Sequence, residues 1–329
     1  MMPEIATDKG TSAAAPARAP IPTGVGFADG EYMPVERLTV SVLDYGFTRS
    51  DVTYDVVHVW DGRFFRLERH LDRFLASMAT LRMTIEHDRD AIRAVLMECV
   101  RRTGLREAYV AMVCTRGRPP AGVRDIRQCR NRFLAYALPF VWIASPEQRR
   151  AGLSAVVASR PRIPAASVDP TVKNYHWLDM ERGLFEAYDS GADTVILPSV
   201  EGTITEGPGF NVFAVRDGVV MTPDSGVLEG ITRRTVIDLC RREGIALEER
   251  AVGLAEFRDA DEIFLASTAG GVMAVTRLDG RILGNGAPGP LTSRIHDLYW
   301  ALAQRSRRDD RDRLPRLGAP RHTRPPSTT

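Results

Sequence analysis

Lysine is almost absent from this chain. Of its 44 basic residues only Lys9 and Lys173 are lysines; the rest are arginine. Arginine stays protonated, so it cannot serve where chemistry needs a neutral amine. Lys9 lies in a low-complexity tail, which leaves Lys173 as the one lysine in the segment expected to fold. A single amine kept in an arginine-only fold suits a Schiff-base role. A genome that favours arginine codons, with one lysine left over, gives the same count, so neighbouring motifs must decide.

Other absences narrow the class. Net charge is only +2, and no basic stripe alternates with aromatics, which argues against nucleic-acid binding. No apolar run approaches the roughly 20 residues of a membrane helix. The N-terminus carries no apolar leader segment, and a cytoplasmic location is expected. The four cysteines, Cys99, Cys114, Cys129 and Cys240, are scattered without metal-ligand spacing, so no metal site is expected and reduced thiols are.

What is present reads as a soluble α+β protein. Residues 1–23 and 306–329 have tail-like composition and are expected to be disordered. A smaller α/β unit is expected over 24–144, a linker over 145–150 and a larger unit over 151–305. In the first, strands are expected at 38–42, 53–59, 107–115 and 132–143. An Asp61-Gly62 turn follows the second of these. Helices are expected from Leu67 to Leu81, on the spacing of Leu71, Phe74, Leu75 and Met78, and over 88–103. In the second unit, strands are expected at 152–159, 193–198, 203–206, 211–215, 219–222 and 262–266. Helices are expected at 177–189, 230–244 and 290–303.

Four segments could carry chemistry. Gly230-Ile-Thr-Arg233 opens an amphipathic helix whose first amides lack partners, as a phosphate seat requires; an ordinary helix start looks the same. Ser267-Thr-Ala-Gly-Gly271 follows a short strand, and its small residues allow close backbone approach to a ligand. Arg73, in His70-x-x-Arg73, lies beside the apolar stripe of its helix and reads either as an anion ligand or as a solvated arginine. Glu206 precedes a glycine-rich turn and reads as a ring-nitrogen partner or a loop acid.

Their order is more telling than any one of them. His70-x-x-Arg73, Lys173, Glu206-Gly-Pro-Gly-Phe-Asn211, Leu228-Glu-Gly-Ile-Thr232 and Ser267-Thr-Ala-Gly-Gly271 follow one another. In that order the chain resembles the class IV (fold type IV) aminotransferases, which use pyridoxal 5'-phosphate. The resemblance spans about residues 25–303. It implies a two-domain fold and a homodimer whose active sites are lined by both chains. By the same resemblance Lys173 carries the cofactor and shuttles the α-proton. Glu206 meets the pyridine nitrogen. Arg73, the amides of Ile231 and Thr232, the Thr232 hydroxyl and Thr268 hold the phosphate.

Within the family the chain is most similar to the (R)-selective amine transaminases. The matching runs are Ser50-Asp-Val-Thr-Tyr-Asp-Val56, Val59-Trp-Asp-Gly-Arg-Phe-Phe-Arg-Leu67, Asp169-Pro-Thr-Val-Lys-Asn174 with Trp177, and Thr268-Ala-Gly-Gly271. This likeness implies transfer of an amino group from an (R)-amine or D-amino acid to a keto acid such as pyruvate. Tyr54, Trp177 and Ala269 would line the substrate side. Arg124 would meet the acceptor carboxylate, with Arg118 and Arg127 as competitors on the same loop. Two departures stand out. Tyr109-Val110-Ala111 lacks the arginine of the branched-chain subgroup. Arg49 replaces a histidine common in the amine subgroup and is either a second carboxylate anchor or a surface residue. The alternatives are a D-amino-acid or branched-chain-type aminotransferase, an aminodeoxychorismate-lyase-like enzyme, or a non-catalytic relative.

Overall fold

A computed structural model describes residues 23–305. The tails expected to be disordered fall outside these residues, apart from Thr23. The chain forms two sheets, each with its own helices.

The first sheet holds β1 (Val25–Ala28), β2 (Glu31–Pro34), β3 (Val52–Trp60), β4 (Arg63–Phe64), β5 (Ala108–Arg118) and β6 (Arg130–Pro139). It is antiparallel, in the order β2-β1-β6-β5-β3-β4. Its helices are α1 (Tyr45–Thr48), α2 (Leu67–Thr80) and α3 (Arg89–Thr103). Strand alternation divides β3 between two environments. Val57 and Val59 join Leu71 and Phe74 of α2 and Leu96 of α3 in one core. Tyr54 and Val56 belong to a second cluster with Ala111 and Leu134.

The second unit contains α4 (Pro146–Ala151), β7 (Leu153–Val157), α5 (Leu178–Asp189), β8 (Thr194–Ile196), β9 (Glu206–Gly207), β10 (Phe210–Arg216), β11 (Val219–Thr222), α6 (Ile231–Arg242), β12 (Leu247–Glu249), α7 (Leu254–Arg258), β13 (Glu262–Ser267), β14 (Gly271–Leu278), β15 (Arg281–Ile282) and α8 (Pro290–Arg305). Its main strand order is β12-β11-β10-β13-β14-β7-β8. The pairs β11–β12, β14–β7 and β7–β8 are parallel. Helices α6 and α8 cover one face through Val236, Ile237, Leu239, Ile295 and Tyr299.

Several expectations differ from this architecture. Residues 38–42 form no strand. Their alternation is present, but Val40 and Val42 are exposed, so the segment has no apolar face buried by pairing. The β1–β2 hairpin, absent from the expected strands, turns at Asp29-Gly30, with φ of 53° and 84°. That is the same Asp-Gly signal that marks Asp61-Gly62. The expected linker over 145–150 carries α4, started by a capping box. Ser145 Oγ accepts from Gln148 N at 3.2 Å, and Gln148 Oε1 accepts from Ser145 N at 2.8 Å. The central strand β14 was also missed, because its apolar run lacks the period-2 pattern of a half-buried strand.

Candidate active site

A cleft of about 500 Å³ opens between the sheets, lined by Tyr54, Arg73, Lys173, Glu206, Thr232 and Thr268 among others. Lys173 lies on the segment between β7 and α5, yet the other sheet fixes it. Its carbonyl accepts from Tyr54 N at 3.2 Å and from Thr53 Oγ1 at 2.8 Å. Its own amide donates to Ser77 Oγ at 3.4 Å. The amine Nζ stands 4.4 Å from the centre of the Tyr54 ring, and Tyr175 stacks on that ring at 4.1 Å. A loop lysine is thereby given the fixed position of a strand residue.

Glu206 starts β9 and is buried. Its Oε2 accepts from Leu228 N at 3.0 Å. Its Oε1 receives two long contacts of 3.4 Å from Arg162, whose Nη1 is held by Asp179 at 2.6 Å. Burial pushes the Glu206 carboxyl upward, while Arg162, the Leu228 amide and Lys173 pull it back toward ionisation.

Arg73, on α2, is fixed from behind. Nε donates to Asp55 Oδ2 at 2.7 Å and Nη2 to Asp55 Oδ1 at 2.9 Å. His70, one turn earlier on α2, meets Asp55 Oδ1 at 2.8 Å. Burial would raise the Asp55 carboxyl, but Arg73 and His70 outweigh it and hold the group well below the usual carboxylate range. Nη1 of Arg73 donates to the Glu229 carbonyl at 3.0 Å. Three of the five guanidinium N–H groups are thus used, and two remain for an anion.

Helix α6 begins at Gly230 with no side-chain cap and no acid in its first turn. Its first amides are therefore left for an anion. A Cβ on Gly230 would stand 1.9 Å from Asn211 Oδ1, so a larger residue there would displace the Asn211 side chain. Asn211 Nδ2 also donates to the Leu228 carbonyl at 2.9 Å. Residues 228–230 thus touch Glu206, Arg73 and Asn211 in succession. Thr268 and Ala269 lie in the turn after β13, where Ser267 Oγ donates to the Gly209 carbonyl at 2.8 Å and Ile143 N donates to the Ala269 carbonyl at 2.9 Å.

The cleft brings together Lys173, Arg73, Glu206, Ile231, Thr232, Thr268, Tyr54, Trp177 and Ala269. Arg124 and Arg49 are not among its lining residues and are exposed; Arg49 lies 3.5 Å over the Tyr45 ring. Arg127 is occupied by Asp125 at 2.7 Å. Sequence reasoning missed Asp55 and Arg162. Asp55 had a visible signal, an acid inside the apolar strand Val52–Trp60. Arg162 had none in so arginine-rich a chain.

The family model for amino-transferase class IV matches residues 53–278. The chain belongs to the class IV aminotransferases. It is 30% identical over 270 residues to a D-alanine aminotransferase of Bacillus licheniformis, covering 81% of this chain and 93% of that one. It is 29% identical over 285 residues to a branched-chain-amino-acid aminotransferase of Pseudomonas aeruginosa, covering 85% and 92%. Among solved structures it resembles the branched-chain amino acid aminotransferase of Thermobaculum terrenum in its PLP form, with a TM-score of 0.77, 30% identity, and 86% and 94% covered. Class IV aminotransferases are PLP-dependent. The residues present fit that cofactor: one amine, a buried carboxylate, an uncapped helix start and an arginine with N–H groups to spare. No cluster of metal ligands and no helix long and apolar enough to cross a membrane occurs among the described residues.

Proposed function

We propose that this aminotransferase moves an amino group between an apolar (R)-amine or D-amino acid and a keto acid such as pyruvate. One observation carries the reading. The cleft walls include Tyr54, Val56, Tyr109, Leu138 and Trp177, and its two lining arginines already have carboxylate partners, Arg73 in Asp55, with its two spare N–H groups read as phosphate donors, and Arg162 in Asp179 and Glu206. An apolar donor group suits such walls, whereas a second carboxylate there would be costly to bury unpaired. The matching runs around Tyr54 and Trp177 support the amine subgroup.

Pyridoxal phosphate, when bound, supplies an electron sink for the charge left when the donor loses its α-proton. The chain's residues do the rest. Lys173 Nζ would hold the cofactor and, when free, would take the donor's α-proton and later return it. Glu206, braced by Arg162 and Leu228, provides the negative charge that keeps the ring nitrogen protonated. Arg73 and the start of α6 hold the phosphate. Arg124, exposed on the loop after β5, serves the acceptor by swinging in for a carboxylate and out for an apolar amine.

A D-amino-acid aminotransferase that rejects donors lacking a carboxylate is the second reading, favoured by the Bacillus licheniformis relative. A donor panel separates the two: both enantiomers of 1-phenylethylamine and both of alanine, plus leucine with 2-oxoglutarate, using Lys173→Ala as the blank. Turnover of (R)-1-phenylethylamine with pyruvate, and none of the (S) form, is expected. Turnover of D-alanine without the aromatic amine selects the second reading, and leucine alone removes both. Arg124→Ala is expected to raise the pyruvate KM and leave the amine KM unchanged. Exposed Val42, Leu43, Phe47, Leu178 and Phe185 suit a two-fold dimer. Light scattering on the same active sample is expected to show twice the chain mass, and an active monomer would refute it.

A further inference from the structure

Beside Glu206 one guanidinium serves two carboxylates. Arg162 Nη1 donates to Asp179 Oδ2 at 2.6 Å, while Arg162 Nε and Nη2 each stand 3.4 Å from Glu206 Oε1. Arg162 and Glu206 are buried, and the Asp179 side chain is 11% exposed. Arg162 and Glu206 line the cleft, and Asp179 does not. Asp179 sits in the first turn of α5.

The sharing is unequal. Asp179 takes the guanidinium at the length of a strong charge-assisted bond, and Glu206 is left with the long contacts. Those contacts leave Oε1 able to accept a shorter bond from another donor. Charge follows the same split. Arg162 alone would cancel Glu206, and the cleft would meet a neutral pair. With Asp179 present, one cation stands between two anions, and one negative charge stays uncancelled. A protonated ring nitrogen would balance it, and buried charges are tolerated when they are matched. Asp179 also has a local task. Its Oδ2 accepts from Ile163 N at 2.8 Å, which ties together the ends of the segment that carries Lys173.

We propose that Asp179 is a positioning residue, which draws Arg162 away from Glu206 so that this carboxylate keeps a negative charge for the ring nitrogen of the cofactor. It acts through Arg162. Without Asp179 the guanidinium would turn fully onto Glu206. A nitrogen facing a neutral pair loses the nearby opposite charge that favours its protonated form. Lys173 also bears on Glu206, and it is common to all the variants below.

The inference rests on reading Glu206 as the ring-nitrogen partner, and the test separates the two. Full-length enzyme is loaded with pyridoxal phosphate isotopically labelled at the ring nitrogen, and nitrogen magnetic resonance follows that atom's protonation against pH. Asp179→Asn keeps an acceptor for the Ile163 amide and removes the charge. It is expected to lower the pH at which the nitrogen loses its proton by about one unit or more. Asp179→Asn combined with Arg162→Gln leaves Glu206 alone with its charge and is expected to restore protonation, which no loss of packing would do. An unchanged nitrogen in Asp179→Asn overturns the proposal. So does a double variant that fails to restore it, since Asp179 would then act other than through Arg162. A shift in Asp179→Ala but not in Asp179→Asn overturns it as well, because the tie to Ile163 would carry the effect. Glu206→Gln is the control: if its nitrogen stays protonated as in the unsubstituted enzyme, the reading of Glu206 itself fails.

Discussion

The two ends of the cleft use the same pair of charges in opposite order. At the end where α6 starts an arginine, Arg73, lines the cleft, and a buried carboxylate, Asp55, braces it with bonds of 2.7 and 2.9 Å. At the other end a carboxylate, Glu206, lines the cleft, and a buried arginine, Arg162, braces it at 3.4 Å. Each pair joins one charge to its counter-charge, but Asp55 stays behind the cleft wall whereas Arg162 lines the cleft beside Glu206. The lone charge would be expensive to bury at either end, and the partner removes that cost while fixing the geometry. The tightness differs. A short bidentate pair suits a group that must hold an anion still. The looser Glu206 pair leaves the carboxylate able to bond a ring nitrogen without surrendering it to Arg162.

This difference predicts a division of labour. The largest effect is expected at Glu206. Glu206→Gln removes the negative charge, and turnover should fall about 10²–10³-fold, in line with loss of one preorganised electrostatic group. Cofactor affinity should change little. Comparable losses in both would mean that the carboxylate anchors rather than activates. At the opposite end Asp55→Asn frees Arg73 from its bidentate brace. Cofactor affinity is expected to fall about tenfold to a hundredfold, with turnover at saturating cofactor nearly retained. Equal effects of the two variants on turnover would erase the contrast between the ends.

The smallest effect is on stability against pH, and it sharpens the comparison because, among the described residues, the buried histidines His58 and His70 both lie on the Arg73 side. Burial above all holds His58 at about 3, and it lowers His70 as well. Between the ordinary histidine value of about 6.5 and the folded value, the unfolded chain binds a proton that the folded chain does not. Stability is therefore lost as pH falls through that window, by at most about 1.4 kcal/mol per pH unit for one group. Asp55 acts lower still. Its stabilisation is present above about pH 4 and is lost as pH falls further. Urea titrations of the apo-protein between pH 7 and 4 should show a shallower acid slope for His58→Phe. An unchanged slope would mean that His58 is charged in the fold.

How far the sequence could be read depended on how local each signal was. Helices α2 and α3 were visible because their apolar spacing is contained in fourteen and fifteen residues. Lys173 stood out because arginine could not mask it. The Gly230 helix start and the turn after Ser267 were visible as small-residue punctuation. Residues 38–42 misled, since alternation describes a strand's faces and not whether a neighbour is free to pair. Arg124 was placed by resemblance and Arg49 by a departure from it, and neither is among the residues lining the cleft of this chain by itself.

The sequence by itself singled out Lys173 among the arginines, the glycine that opens a helix without a side-chain cap and, through the order of its motifs, the family. Those properties belong to residue types and short spacings, and folding does not alter them. Only the tertiary structure decided which charges stand behind which. Asp55 and Arg73 are 18 residues apart, and Arg162 and Glu206 are 44 apart. In a chain with arginine at 42 positions, partner choice cannot be read from composition. Burial selects the pairs, because a charge taken out of water must find its counter-charge wherever the fold brings one within reach.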